Sequence, residues 1–202
     1  MLTSLSHTKA IVWYAVLITA IVSASACNDA DYVPKPRGYL RLDLPEQTYR
    51  SLDSTLPFTF EYSKHARISS DRITMQNPNW FNIAYPGFKA KVHVSYKDLD
   101  DAVLYNLQRD AHEMAYKHAP KAVGIREIPI NRPQQNLYGL GYGIEGKEAA
   151  SPFQFYLTDS THHFIRGALY FNLKPNNDSL GPVIDFILDD IDHLISTFQW
   201  KN

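Results

Sequence analysis

One cysteine in 202 residues, Cys27, excludes any disulfide within the chain. The fold must therefore be held by an apolar core rather than by cross-links, and a chain of this length is long enough to build one. The position of that cysteine also divides the sequence. Before it, residues 1–9 carry one firm positive charge, Lys9, residues 10–22 (AIVWYAVLITAIV) are apolar throughout, and residues 23–26 (SASA) are small. That is the order of a secretory signal. The 13-residue apolar run is too short for a bilayer span, which takes about 20 residues.

Ala24-Ser25-Ala26 satisfies the small-x-small pattern of general signal cleavage. Small residues ending in a cysteine also fit a bacterial lipobox, with Ala24 where leucine is usual. An unpaired cysteine at a cleavage site is more simply a lipid attachment point than a stray thiol. Several acyl chains on it, palmitate among them, would anchor the protein stably where one would be marginal. The sequence thus predicts a signal peptide over residues 1–26, a lipidated N-terminus and extended tether over 27–38 (CNDADYVPKPRG, two prolines) and a globular domain over 39–202.

From Cys27 onward 176 residues remain, and the loss of Lys9 takes the net charge from −1 to −2. That balance offers no electrostatic footprint for nucleic acid. Aromatic residues make up 13% of the chain, a bias towards sheet. Alternation predicts strands over 57–62 (PFTFEY), 80–85 (WFNIAY) and 89–96 (KAKVHVSY), the last two paired around Pro86-Gly87. Residues 100–118 read as a helix with Leu104, Leu107, Ala111, Met114 and Ala115 on its apolar stripe, ended by Pro120. Strands follow over 124–130, an edge because of Pro129, and over 136–144, 153–158 and 164–172, with Asp159-Ser160-Thr161 turning between the last two. A second helix over 180–200, capped by Ser179, places Ile184, Ile187, Leu188, Ile191, Ile195 and Phe198 on one side and Asp185, Asp189 and Asp192 on the other. The expected fold is α+β: a single domain, mainly an antiparallel sheet packed by two helices. By analogy the element order is similar to PsbP/Mog1-like α/β/α sandwiches.

Four stretches approach known chemistry without completing it. Gly141, Gly143 and Gly146 spell G-x-G-x-x-G, and Lys147 follows, but both phosphate motifs need a helix to begin there. Pro152 and a strand arrive instead, and Glu148 stands where a P-loop needs Ser or Thr. His112-Glu113 opens a zincin-like run, but His118 lies six residues along, about 240° round a helix, too far to share a metal. Asp159-Ser160-Thr161-His162-His163 holds the residue types of a hydrolytic triad, crowded into one turn where a triad draws on separate parts of a fold. Arg166, inside the apolar FIRGALYF, reads as solvent-facing; buried, it would need a carboxylate partner. No catalytic set, metal site or cofactor emerges, and the chain reads as a non-enzyme. A hydrolase or ligand-binding role centred near Asp159 and His163 is the alternative.

Taken in order, Tyr32-Val33-Pro34-Lys35-Pro36-Arg37-Gly38-Tyr39, Arg41-Leu42-Asp43-Leu44-Pro45, residues 79–97, 155–172 and 175–201 resemble the gliding motility lipoprotein GldD family over nearly the whole mature chain. The resemblance implies a lipid-anchored envelope protein of the Bacteroidota, needed for gliding and, with other gliding lipoproteins, for type IX protein secretion. It implies no catalytic residues, and the one position it assigns a chemical role is Cys27. Other gliding and type IX secretion lipoproteins are the expected partners, with the membrane engaged through the anchor. Lys35, Arg37, Tyr39, Trp80 and Trp200 are the candidate partner contacts. The expected location is the outer membrane, facing the periplasm.

Overall fold

The computed structural model describes residues 13–14, 43–70, 77, 79–99 and 103–201. Cys27, Lys35, Arg37 and Tyr39 lie outside the described residues, as does the rest of the predicted signal and tether apart from Trp13 and Tyr14, which are helical. The chain divides into two units, Met1–Tyr39 and Leu40–Asn202. All that follows concerns the second.

Its elements run in chain order as β1 (Tyr49–Ser51), β2 (Phe58–Thr59), β3 (Glu61–Ser63), β4 (Arg67–Ser69), β5 (Trp80–Tyr85), β6 (Ala90–Asp98), α1 (Leu104–Tyr116), β7 (Gly124–Arg132), β8 (Leu137–Glu145), β9 (Phe153–Thr158), β10 (His163–Phe171), α2 (Asn177–Thr197) and β11 (Gln199–Trp200). Seven strands form one antiparallel sheet in the order β4-β5-β6-β10-β9-β8-β7. Two short ladders, β1 with β3 and β2 with β11, complete the sheet structure.

The alternation that predicts each strand also separates the two faces of the sheet. On β10, Ile165 and Leu169 join the large core with Val92 of β6, Leu157 of β9 and the α2 residues Val183, Phe186, Ile187, Ile191 and Leu194. Phe164, one residue along, turns to the other face and packs with Leu99 and the α1 residues Leu107 and Ala111. A further small cluster there joins Ala115 to Tyr142, Ile144 and Ala149. The mainly antiparallel sheet thus carries one helix on each face, the α+β arrangement the element order predicts. Gly167 sits on the α2 face, where an added Cβ would collide with the ring of Phe155. The absence of a side chain lets that aromatic lie across the ladder.

Several details differ from the sequence reading: β1 and β4 are absent from it, the first helix ends at Tyr116 rather than 118, and Met114 is exposed rather than part of its buried stripe. The expected strand over 57–62 is broken: Phe58 and Thr59 pair with β11, while Glu61, Tyr62 and Ser63 pair with β1. The second helix spans Asn177–Thr197, not 180–200. At its start, the Asn177 side chain donates to the carbonyls of Gly146 at 2.7 Å and Ala149 at 3.0 Å, fixing the first turn on a preceding loop. Its end follows from the hydroxyls of Ser196 and Thr197, which donate back to the His193 carbonyl at 2.7 and 2.9 Å. Such back-bonding competes with the backbone ladder. Phe198 then leaves in extended conformation and is fully buried. Trp200 is therefore a strand residue, opposite Phe58.

The α2 stripe also contains a residue the periodic pattern does not mark. Asp185, Asp189 and Asp192 are exposed, but Asp190 is 2% exposed. Burial pushes its carboxyl above the ordinary range. The hydroxyls of Ser63, Tyr85 and Tyr49 oppose this without reaching full hydrogen-bond geometry.

Candidate functional site

Where β6 ends and the β9–β10 hairpin turns, a cleft of about 1000 Å³ opens between Asp98, Asp159, His163, Asn136 and Trp200. It contains the sequence's polar turn and one of its two candidate tryptophans.

The turn is built around Asp159. Its Oδ1 accepts the backbone N–H groups of Thr161 at 3.0 Å, His162 at 2.9 Å and His163 at 2.8 Å, and its Oδ2 accepts the Thr161 hydroxyl at 3.0 Å. Ser160 takes the left-handed conformation, φ 70°, that so tight a reversal requires. Its N–H donates to the Thr158 hydroxyl at 2.9 Å, and that hydroxyl donates to the His163 carbonyl at 2.6 Å. Burial pushes the Asp159 carboxyl up, but the backbone donors from His163, His162 and Thr161 outweigh it and hold the group down at about 2. The carboxylate is thus ionised and committed to the turn. His162 meets Asp159 only at 3.6 Å, with its own side chain 77% exposed. Among the described residues the Ser160 hydroxyl bonds neither histidine, so the residue types of a triad stand together without forming a relay.

The structure joins His163 to two residues the sequence reading passes over. Across the β6–β10 ladder His163 is opposite Asp98. Tyr96, two residues before Asp98 and on the same face, donates its hydroxyl to Asp98 Oδ1 at 2.5 Å and lies 2.8 Å from His163 Nδ1. With the Tyr96 proton directed to Asp98, the Tyr96 oxygen is left to accept from His163 Nδ1–H. Burial, the bond to Asp98 and the negative charge of Asp98 push the Tyr96 phenol above its ordinary range. No local motif marks this cluster. It depends on a register between strands separated by α1 and three other strands.

Trp200 closes the site. Its ring stacks on His163 at 5.0 Å, meets Phe198 edge-on at 4.6 Å, and donates Nε1–H to the Asn136 carbonyl at 3.1 Å. One side belongs to the core and the other to the cleft. Trp80 lies elsewhere, partly buried on β5. It borders a groove shared with Arg50, Leu56 and Tyr62, and also a cavity under α1.

The remaining motifs resolve as structural features. Gly141 and Gly143 lie in β8 and Gly146 follows it, and the Gly146 loop meets the start of α2 with carbonyls, not with the N–H groups a phosphate needs. His112 stacks on Tyr116 at 4.2 Å, whereas His118 lies by Tyr170. Among the described residues, no three ligating side chains gather as a metal would need. Arg166 corrects the expectation of a solvent-facing charge. It is partly buried, and its partner is the Gln154 amide oxygen at 2.5 Å, not a carboxylate.

Comparison with known proteins adds the following. The sequence profile of the family described as gliding motility lipoprotein GldD matches residues 29–200. No curated protein matches the chain. Among solved structures, the solution structure of cyanobacterial PsbP (CyanoP) from Synechocystis is similar, with 12% identity and a TM-score of 0.47 over 80% of this chain and 97% of that one.

Proposed function

The chain belongs to the gliding motility lipoprotein GldD family, and from that premise we propose that it is a non-enzymatic assembly component of the cell envelope, supporting gliding motility and type IX protein secretion through protein contacts. The observation that carries this reading is the extent of the family match, which begins at residue 29, two residues past Cys27. That span takes in most of the tether proposed here together with the domain, which supports reading the two as one unit. In this reading residues 1–26 are removed as signal peptide, Cys27 carries the lipid, 27–38 tether the domain 39–202, and the protein faces the periplasm from the outer membrane. Lys35 and Arg37 on the tether and Tyr39, Trp80 and Trp200 on the domain supply contacts to other gliding and type IX secretion lipoproteins.

Deleting the gene is expected to abolish export of type IX cargo and, in a gliding host, surface spreading, both restored by the wild-type gene. Normal export and spreading in the deletion strain would overturn the proposal. Cys27→Ser is expected to release the protein from membranes in a high-salt wash.

A second reading, a small-ligand site in the cleft, rests on the His163 ring lining it between Tyr96 and Trp200. A His163→Ala chain that folds and fully restores export would remove that reading and leave the first intact.

A further inference from the structure

A separate cavity of about 330 Å³ lies between α1 and the sheet face it covers, within the range of small-molecule sites. Leu107, Ala111 and Met114 of α1 stand over Phe164 and Arg166 of β10. The lining is mainly apolar, yet it holds a guanidinium. Arg166 donates to Gln154 Oε1 at 2.5 Å and interacts with the Tyr170 hydroxyl, but among the described residues it meets no carboxylate. Gln154 is 1% exposed and its Nε2 has no partner. A partly buried cation and an unsatisfied amide side by side are unfavourable unless something pairs with them.

The other charges facing this cavity do not neutralise Arg166. Lys97 and Asp110 both border it, and Asp110 has Arg109 of its own helix 3.8 Å away. Burial and the Arg166 charge push His118, nearby, below its ordinary range, and a histidine could in any case offer only further positive charge. The cavity is left net positive. A guanidinium fork matches a carboxylate through two parallel hydrogen bonds, and the surrounding side chains suit a short hydrocarbon body.

We propose that this cavity binds a small amphipathic carboxylate, with its head group on Arg166 and its apolar body among Leu107, Ala111, Met114 and Phe164. The site is distinct from the Trp200 cleft and does not depend on the assembly reading.

The test uses octanoate labelled with carbon-13 at its carboxyl carbon, followed by NMR on the protein purified in detergent, with protein-free micelles as blank. Saturable binding is expected, at least about tenfold tighter than for octan-1-ol or octyltrimethylammonium, since a hydrogen-bonded charge contributes that much or more. Arg166→Gln is expected to weaken octanoate about tenfold or more while leaving octan-1-ol unchanged. Met114→Trp, at an exposed position on α1, is expected to block both probes without disturbing the fold, and it decides the matter alone if Arg166→Gln does not fold. Octan-1-ol binding as tightly as octanoate, no saturable octanoate binding, or octanoate binding unchanged in Met114→Trp would each overturn the proposal.

Discussion

The two faces of the sheet are packed differently. Under α2 the core is continuous and dominated by rings: Phe58 lies 6.1 Å from Phe60 and 5.5 Å from Phe198, and all three are at most 1% exposed. Under α1 the apolar contacts fall into two small clusters, with Arg166, Gln154 and a cavity on the same face. A close-packed interior tolerates little change in volume, whereas a divided layer can hold polar groups and space. The α2 face carries the ring-packed core and opens at its β7 edge, where a cavity of about 450 Å³ lies between Ile130 and Leu188, whereas the cavity under α1 lies beside a partly buried cation. Among the described residues the one buried carboxyl on the α2 face, Asp190, is the exception that can be tested.

The largest expected effect probes that contrast directly. Phe58→Ala removes a ring that touches five other aromatics and is expected to cost about 3–5 kcal/mol in urea unfolding. Leu107→Ala, in the smaller layer beside an existing cavity, is expected at the low end for such truncations, about 2 kcal/mol. Equal costs would break the comparison. Asp159→Ala strips the hairpin turn of a charged acceptor and is expected to cost about 1–2 kcal/mol at neutral pH. Because the folded carboxyl is held at about 2 against an ordinary 3.8, that margin is present above the ordinary value and is lost as pH falls through about 2. Urea midpoints of wild type and variant should therefore converge in strong acid.

Asp190→Asn is the smallest effect and has the opposite sign. A carboxyl raised in the folded state binds its proton more tightly there than in the unfolded chain, so wild-type stability falls as pH rises above the ordinary 3.8 towards the raised folded value. The variant is expected to be close to wild type at low pH and to gain on it as pH climbs. A wild type that gains on the variant instead would mean that Asp190 is satisfied in a way its surroundings do not indicate.

The strands from β5 to β10 were legible because alternation over six or more residues marks both the strand and its buried side. The elements β1, β4 and β11, of two or three residues each, are too short for a period, and alternation reads β2 and β3 as one strand; their pairing comes from partners up to 142 residues away, as Phe58 with Trp200. Helix α2 was legible as a stripe, but its ends were set by hydroxyl back-bonding and by a distant loop. Asp190 was hidden because periodicity counts residue types and does not see the Tyr49, Ser63 and Tyr85 hydroxyls that the tertiary fold brings towards it.

By itself the sequence determined the lone cysteine and the apolar segment before it, the α+β class, the long strands and the self-contained turn at Asp159. These depend on neighbours within a few residues. Only the tertiary structure decided that Tyr96, Asp98 and His163 form one cluster, that Trp200 closes it, and that Arg166 is partly buried against the Gln154 amide. Each of those depends on the register between strands far apart in the chain. That register is set by burial of whole faces, which no local pattern encodes.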